Sequence, residues 1–245
     1  MDDLDYLGAL RADSAALAAT ARLGLDAPVP ACPGWSVADL VLHTGTVQRH
    51  KATVVREGLR RPPQATDFPA APSPDRLIGW FEEGAADLAD TLERADPSTP
   101  VWTFHQPDQT VGFWRRRMAH EAAVHRVDAQ AAHDRIAPVA PPALASDGVA
   151  EVLDVMLARL RDAAAGNGET IHLHCTDTEG EWLLTMEPER VRVRPGHAKG
   201  DCAARGGASD LLLFLWGRLP AERLEVFGNA GLLARVRELA ARATQ

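Results

Sequence analysis

The chain has 245 residues, of which 46% are hydrophobic and 24% are charged, and its net charge is −8 at pH 7. This composition is typical of a globular protein and excludes disorder of the chain as a whole. The acidic balance argues against a nucleic-acid-binding surface, and no run of about 18 apolar residues predicts a membrane span. Because the acidic N-terminus lacks the pattern of a secretory signal, we predict a cytoplasmic protein. The three cysteines are far apart and form neither a disulfide framework nor a cysteine zinc knuckle.

The first half of the chain reads as helices separated by proline-rich connections. Helical spacing of apolar residues predicts helices over residues 4–23, 37–58, 75–95 and 113–133. Ser36 with Asp39 three positions later has the pattern of an acidic capping box, which marks the start of the second helix. The connections at 61–74 and 96–112 are long, and long loops in compact domains are often functional. These features predict a four-helix bundle over residues 1–138.

The second half has a different pattern, and the proline-rich residues 136–142 predict a boundary before a domain spanning 139–245. Residues 146–164 have helical spacing. Apolar and polar residues then alternate in three short stretches between residues 171 and 194, which predicts three antiparallel strands joined by short turns. An apolar run at 211–216 and an amphipathic helix at 232–243 follow. The predicted fold class is therefore α+β, with a helical bundle followed by a small α+β domain.

The strongest candidate for chemistry is the pair Glu121 and His125 on the fourth predicted helix. Residues four apart lie about 40° apart around a helix, so both side chains project from one face. Met118, Ala122 and Ala129 share much of this face, so it is predicted to point inward. A carboxylate and an imidazole on an inward face are costly unless they are paired or bound to a metal, and helix bundles commonly build metal sites in this way.

A third ligand has to come from elsewhere, because catalytic zinc usually has three protein ligands and an open position. The neighbouring His120 does not supply it: five residues separate it from His125, so the HExxH motif of metalloproteases is not met. The second helix offers His43 and, one heptad later, His50. A set of two histidines and one glutamate suits Zn²⁺, although Mn²⁺, Ni²⁺ or Fe²⁺ also fit.

Simpler interpretations of these residues remain open at this point. Glu121 can pair with Arg117 one turn before it, and a lone histidine such as His43 is more often a hydrogen-bonded core residue than a ligand. His172 and His174 place two imidazoles on one strand face, which is half of a metal site, but exposed strand histidines are the more frequent outcome.

Three segments of the sequence carry a wider pattern. The first is CPGWSVADLVLHTG at residues 32–45, and the second is FWRRRMAHEAAVHRVDA at residues 113–129. The third is ASDLLLFLWGR at residues 208–218, followed by LEVFG at 224–228. In this order, they resemble the mycothiol-dependent maleylpyruvate isomerase family, and the resemblance covers nearly the whole chain.

The resemblance implies a DinB-like four-helix bundle followed by a small α+β domain of the sterol-carrier-like type. It implies a divalent metal, usually zinc, held by His43, Glu121 and His125, and it favours His43 over His50. Asp128, three residues beyond His125, could orient that imidazole. An arginine of the second domain is implicated in binding the acidic thiol or the substrate, and Arg218 is the candidate.

The function implied by the resemblance is that of a zinc- and mycothiol-dependent enzyme, in which a metal-bound thiolate adds to an electrophilic small molecule. Addition followed by rotation and elimination gives the cis–trans isomerisation of maleylpyruvate, whereas addition alone gives a thiol S-transfer. Two other classes remain open: a non-catalytic small-molecule-binding protein and a thiol-independent metal hydrolase. The predicted partners are mycothiol and a small-molecule electrophile, bound by a monomer or homodimer without nucleic acid or membrane.

Overall fold

The structure is a computed structural model that describes residues 4–64, 71–160 and 166–244. The chain divides into two compact units, residues 1–137 and 138–245. Part of the predicted connection at 61–74 and the last residues of the predicted helix at 146–164 lie outside the described residues. Among the described helices, none combines the length and the apolar character that crossing a membrane would require.

The first unit is a four-helix bundle, as predicted. Its helices are α1 (Tyr6–Ala21), α2 (Val37–Arg56), α3 (Leu77–Arg94) and α4 (Val111–Ala131). Helix α1 packs mainly against α4, and α2 packs mainly against α3. The fully buried side chains at their centre include Leu17, Leu40 and Phe81.

The capping box fixes the start of α2. The hydroxyl of Ser36 accepts a hydrogen bond from the backbone amide of Asp39 at 3.2 Å, and the Asp39 carboxylate accepts one from the Ser36 amide at 2.8 Å. These bonds satisfy two amides that an uncapped helix leaves without partners. Because the first residue of the helix is fixed, His43 is placed in its second turn, on a helix whose Leu40 and Val41 are fully buried.

Helix α4 begins two residues earlier than predicted. Thr110 caps it by accepting a hydrogen bond from the Phe113 amide at 3.4 Å. Trp114, which is fully buried, donates its indole N–H to the carbonyl of Trp102 at 2.8 Å and anchors the first turn. This anchor sets the rotation of the helix and therefore the direction in which Glu121 and His125 project.

The second unit contains α5 (Pro142–Glu151), α6 (Ala208–Leu215) and α7 (Ala230–Ala243). Helix α5 starts four residues before the predicted position, because proline is tolerated in the first helical turn and Pro142 occupies it. A π-helical turn (Val152–Met156) and a 3₁₀ turn (Leu157–Arg159) continue the helix.

Five strands form one sheet in the order β3-β2-β1-β4-β5. They are β1 (Glu169–Cys175), β2 (Glu181–Met186), β3 (Val191–Pro195), β4 (Cys202–Gly206) and β5 (Glu225–Gly228). The three predicted strands are β1, β2 and β3, and their antiparallel pairing is confirmed. Strands β4, which runs parallel to β1, and β5 were not predicted. Alanine and glycine dominate β4 and β5 has only four residues, so neither carries a strong strand signal.

The two faces of the sheet differ in character. Ile171, Leu173 and Cys175 of β1 are buried among apolar residues, and His172 and His174 alternate with them on the opposite face. The register between β1 and β2 places His174 directly across from Glu181. The fold class predicted from the sequence, a helical bundle followed by an α+β domain, is confirmed.

Candidate metal centre

Three side chains of the helical bundle converge at one point: His43 from α2, and Glu121 and His125 from α4. The Nε2 atom of His125 lies 3.2 Å from Glu121 Oε1, and the Nε2 atom of His43 lies 3.7 Å from the same oxygen. The two imidazole rings meet edge to face, with 5.3 Å between their centroids. One potential ligand atom from each residue lies within 4.8 Å of the others.

Both oxygens of Glu121 are engaged, and they have different partners. Oε2 accepts a hydrogen bond from the guanidinium of Arg117, one turn earlier on α4, whereas Oε1 faces the two histidines. The Arg117 side chain is only 3% exposed. Burial raises the pKa of Glu121, but the charges of His125 and Arg117 outweigh it and hold the pKa well below its ordinary value. The carboxylate is therefore ionised throughout the neutral range.

Asp128 orients the ring of His125. Its Oδ2 atom lies 3.0 Å from His125 Nδ1, and its side chain is completely buried. With the Nδ1 proton donated to Asp128, the Nε2 atom is directed toward Glu121 and His43. Burial lowers the pKa of His125, but the charges of Glu121 and Asp128 outweigh it and raise the pKa to about 9. The same negative potential favours any cation at this point.

His43 lies on the accessible side of the cluster. Its side chain is 39% exposed, compared with 16% for Glu121 and 12% for His125. The ring packs against Trp35, with 4.9 Å between ring centroids, so its orientation is restrained even though it reaches solvent. A small molecule can therefore approach the cluster from the His43 side.

Lys51, later on α2, is a charged group near the cluster that the sequence analysis did not single out. Its Nζ atom lies 2.9 Å from His50 Nδ1 and 4.6 Å from the centroid of Trp114. Burial lowers the pKa of Lys51 to about 8, opposed by the charge of Glu121. Burial and the charge of Lys51 lower the pKa of His50 to about 4, so His50 is neutral at pH 7. The buried environment of Lys51 could not be predicted from helical spacing, because aromatic residues of a distant loop and of α4 create it.

The structure separates His43 from its sequence alternative His50. His50 packs against Trp102, with 5.9 Å between ring centroids, and it is absent from the group of converging ligand atoms. His120 also lies away from the cluster: it is buried with its ring edge-on to Tyr6. The thiol of Cys32 lies 3.9 Å from Asp128 Oδ2, which places it beside the carboxylate that orients His125.

Arg218 belongs to the second unit, in the turn that follows α6. Its guanidinium donates a hydrogen bond to the carbonyl of Trp216 at 2.6 Å, and its side chain is half-buried. The preceding Gly217 has a φ of 75°, a left-handed conformation that favours glycine. The turn thus fixes the backbone from which Arg218 projects.

The donor set fits a divalent metal. Two imidazole nitrogens and one carboxylate oxygen are the ligands of many three-residue zinc sites, in which neighbouring ligand atoms stand about 3.3 Å apart around the ion. The separations of the two histidine nitrogens from Glu121 Oε1, 3.2 and 3.7 Å, are close to this spacing. Arg117 and Asp128 restrain Glu121 and His125 from behind, as outer-sphere groups do in metal sites.

Comparisons with known proteins agree with this arrangement of domains. Residues 7–130 match the mycothiol maleylpyruvate isomerase N-terminal domain, and residues 143–235 match the MDMPI C-terminal domain. No sequence match was found among curated proteins.

Solved structures that share the fold include two of a mycothiol-dependent maleylpyruvate isomerase. The crystal structure of the mycothiol-dependent maleylpyruvate isomerase has 15% sequence identity and a TM-score of 0.63, with 91% of each chain covered. The crystal structure of a mutant of the mycothiol-dependent maleylpyruvate isomerase has 14% identity, the same TM-score and the same coverage. Since the two domain matches together span most of its length, the chain belongs to the mycothiol-dependent maleylpyruvate isomerase family.

Proposed function

We propose that this protein is a metal- and mycothiol-dependent enzyme that acts on an electrophilic small molecule. The observation that carries the proposal is the convergence of His43 Nε2, Glu121 Oε1 and His125 Nε2 on the accessible side of the bundle. Zn²⁺ is the proposed metal, because two imidazoles and one carboxylate suit it. A bound divalent metal would act as a Lewis acid that lowers the pKa of a coordinated thiol, so that the thiol would lose its proton to water and become the nucleophile.

The chain's own residues have distinct roles in this proposal. His43, Glu121 and His125 are the ligands. Asp128 holds the Nδ1 proton of His125 and keeps Nε2 available for the metal. Arg117 holds the second oxygen of Glu121, so that only one oxygen faces the histidines.

The proposed reaction is isomerisation of a cis double bond conjugated to a carbonyl, as in maleylpyruvate. The thiolate sulfur forms a C–S bond to one alkene carbon, and the π electrons move onto the carbonyl oxygen. The former double bond is now single and can rotate. When those electrons return, the C–S bond breaks, and the thiolate and the trans product are released. If the adduct is protonated instead, the outcome is a thiol S-transfer.

Arg218 is proposed to bind a carboxylate of the substrate or an acidic group of the thiol. A guanidinium presents a rigid set of donors that matches a carboxylate in a bidentate manner. We expect Arg218→Gln to raise KM much more than it lowers kcat, and Arg218→Lys to restore part of the affinity. Equal KM values for the wild type and Arg218→Gln would reject this role.

The test is metal analysis of the purified protein, followed by assays of maleylpyruvate and generic electrophiles with and without mycothiol. We expect the purified protein to contain zinc. We expect turnover only when mycothiol is present. His43→Gln should abolish this turnover, whereas His50→Gln, one heptad later on the same helix, is the matched control and should retain it.

The same assays separate the alternative functions. Turnover that needs metal but not thiol would identify a hydrolase. Tight binding of an electrophile or an acidic small molecule without turnover would identify a binding protein. If His50→Gln lowers the zinc content of the protein and His43→Gln does not, the proposed ligand set is wrong.

A further inference from the structure

The second unit contains a separate cluster of histidines. Residues 138–245 have three histidines, His172, His174 and His197, and all three converge on the carboxylate of Glu181. One potential ligand atom from each of these four residues lies within 4.8 Å of the others. This cluster shares no residue with the candidate metal centre of the helical bundle.

The sheet register brings three of the four residues together. His172 and His174 are two residues apart on β1, so they project from the same face. Glu181 begins β2 directly across from His174. The arrangement is therefore fixed by backbone pairing at the centre of the sheet, which is more restrictive than the placement of exposed side chains on a loop.

The fourth residue, His197, comes from the segment that connects β3 with β4. Since β3 lies at one edge and β4 lies beyond β1, residues 196–201 have to cross β2 and β1. The Gly196 amide donates to the carbonyl of Glu181 at 2.8 Å, which starts the crossing beside the cluster. Gly200 lies so close to β1 that a Cβ atom there would be 3.0 Å from the amide nitrogen of His172. His197 is thereby held over the two strands.

The ring nitrogens of the cluster surround a single carboxylate. Glu181 Oε2 lies 3.1 Å from His172 Nε2 and 2.8 Å from His197 Nδ1. Its Oε1 lies 2.9 Å from His174 Nδ1. His172 is nearly buried, whereas the side chain of His197 is 79% exposed.

We propose that His172, His174, Glu181 and His197 form a second metal site, which takes a divalent cation that prefers imidazole ligands, such as Zn²⁺. Three neutral imidazoles and one carboxylate supply four ligands of the types that tetrahedral zinc accepts. With all four positions taken by protein, the site is closed and its role is structural: it ties the crossover segment at His197 to β1 and β2. This inference goes beyond the proposed enzymatic function and does not depend on it.

The test uses full-length protein in which the first site is disabled by His43→Ala together with Glu121→Gln. This background is titrated with Co²⁺, whose visible absorption reports tetrahedral coordination, and with Zn²⁺ in competition. We expect one equivalent of Co²⁺ with a tetrahedral spectrum, and a rise in Tm when Zn²⁺ is added. Mg²⁺, which prefers oxygen ligands, should produce neither change.

Two further variants in the same background locate the site. Glu181→Gln and His197→Gln should each weaken Zn²⁺ binding by more than about 100-fold, beyond the effect of outer-sphere substitutions, and should abolish the Tm shift. His197 is largely exposed, so its loss is not expected to disturb the fold. Glu187→Gln is the matched control, because this carboxylate directly follows β2 and pairs instead with Arg190 and Arg192.

The outcomes are distinct. The second site is supported if the His43→Ala, Glu121→Gln protein binds one equivalent of metal and if Glu181→Gln and His197→Gln each abolish that binding. No bound metal in that background at micromolar Zn²⁺, or unchanged affinity in His197→Gln, overturns it. Neither result alters the thiol-dependence test of the first site, so the two proposals can fail separately.

Discussion

The bundle and the sheet each gather histidines around one glutamate, but they support that glutamate differently. In the bundle, Glu121 is 16% exposed and its second oxygen is held by the buried Arg117. In the sheet, Glu181 is 26% exposed and histidines lie beside both of its oxygens. The bundle cluster therefore has three candidate ligands, two of which contact charged residues outside the cluster. The sheet cluster has four candidate ligands, in which three histidines surround the carboxylate of Glu181.

This difference separates a site suited to chemistry from a site suited to structure. Three protein ligands leave room for a further one, and the exposure of His43 gives that ligand an approach. Four protein ligands leave no such room. Outer-sphere groups such as Arg117 and Asp128 also tune the ligands they touch, which matters where a reaction has to be controlled.

The largest expected effect comes from exchanging Glu121 for its amide. Glu121→Gln should lower thiol-dependent turnover by more than about 100-fold, because it removes an anionic ligand and leaves the charge of Arg117 poorly compensated. It should also lower the free energy of unfolding by about 3 kcal/mol, as loss of one partner from a buried ion pair does. Steady-state kinetics and urea denaturation measure both effects.

Glu181→Gln is the counterpart of this substitution in the sheet. Turnover should stay within about twofold of wild type, because its cluster shares no residue with the bundle site. A large loss of turnover in Glu181→Gln would mean that the two clusters do not have separate roles.

The second-largest expected effect tests whether Asp128 contributes to metal binding by orienting His125. Asp128→Asn should weaken metal binding by about 10- to 100-fold, since an amide can present either oxygen or NH₂ to His125 and no longer fixes its tautomer. Competition with a chromophoric chelator measures the affinity. Asp87→Asn, in an exposed pair with Arg56, is the control and should leave the affinity unchanged. Equal affinities for Asp128→Asn and wild type would remove Asp128 from the site.

The third expected effect concerns pH and Lys51. The folded pKa of about 8 lies below the unfolded value of about 10.4, so the unfolded chain binds more protons between these values. Stability should therefore rise as pH increases from 8 to 10, and the full penalty of the buried charge applies below pH 8. Lys51→Met should flatten this rise and increase the free energy of unfolding at pH 7 by about 2 kcal/mol.

The only other lysine in the sequence provides the control for this experiment. Lys199 is exposed, so Lys199→Met should leave both the stability and its pH dependence unchanged. Urea denaturation at several pH values measures the slope. If Lys51→Met and wild type show the same slope between pH 8 and 10, burial does not shift the pKa of Lys51 as described.

The smallest expected effect concerns the contribution of the sheet cluster to the free energy of unfolding, which we expect to be smaller than that of the bundle cluster. Without added metal, Glu181→Gln should lower the free energy of unfolding by less than about 1 kcal/mol, because glutamine can still accept hydrogen bonds and a hydrogen bond contributes only about 1 kcal/mol net. With saturating Zn²⁺ the loss should grow, since a ligand that binds only the folded chain stabilises it. Urea denaturation with Zn²⁺ or with a chelator measures the difference. A loss that is equal under both conditions would contradict a metal role for Glu181.

Much of the bundle followed from local sequence patterns. The capping box at Ser36 and Asp39, the shared helix face of Glu121 and His125, and the closeness of Asp128 to His125 all depend on neighbours within one helical turn. Such relations are fixed by helix geometry as soon as the helix forms. In the sheet, alternation identified β1 to β3 but gave no signal for β4.

Other features could not be obtained from spacing. His43 and His50 both fit the helical pattern of α2, and the preference for His43 depended on the family resemblance. The environment of Lys51 depends on aromatic residues far away in the chain, and the meeting of His197 with β1 depends on how β3 connects to β4. Each of these is a contact between segments that are distant in sequence.

The amino-acid order by itself determined that α2 begins directly after Ser36, which side chains share a face, and that a carboxylate and an imidazole lie together on α4. Only the tertiary structure decided which histidine of α2 meets them, and that three histidines of the second unit surround Glu181. The physical reason is that periodicity is local and fixes the direction of each side chain within its own element. Which elements then face each other is decided by burial of apolar surface and strand pairing over the whole domain.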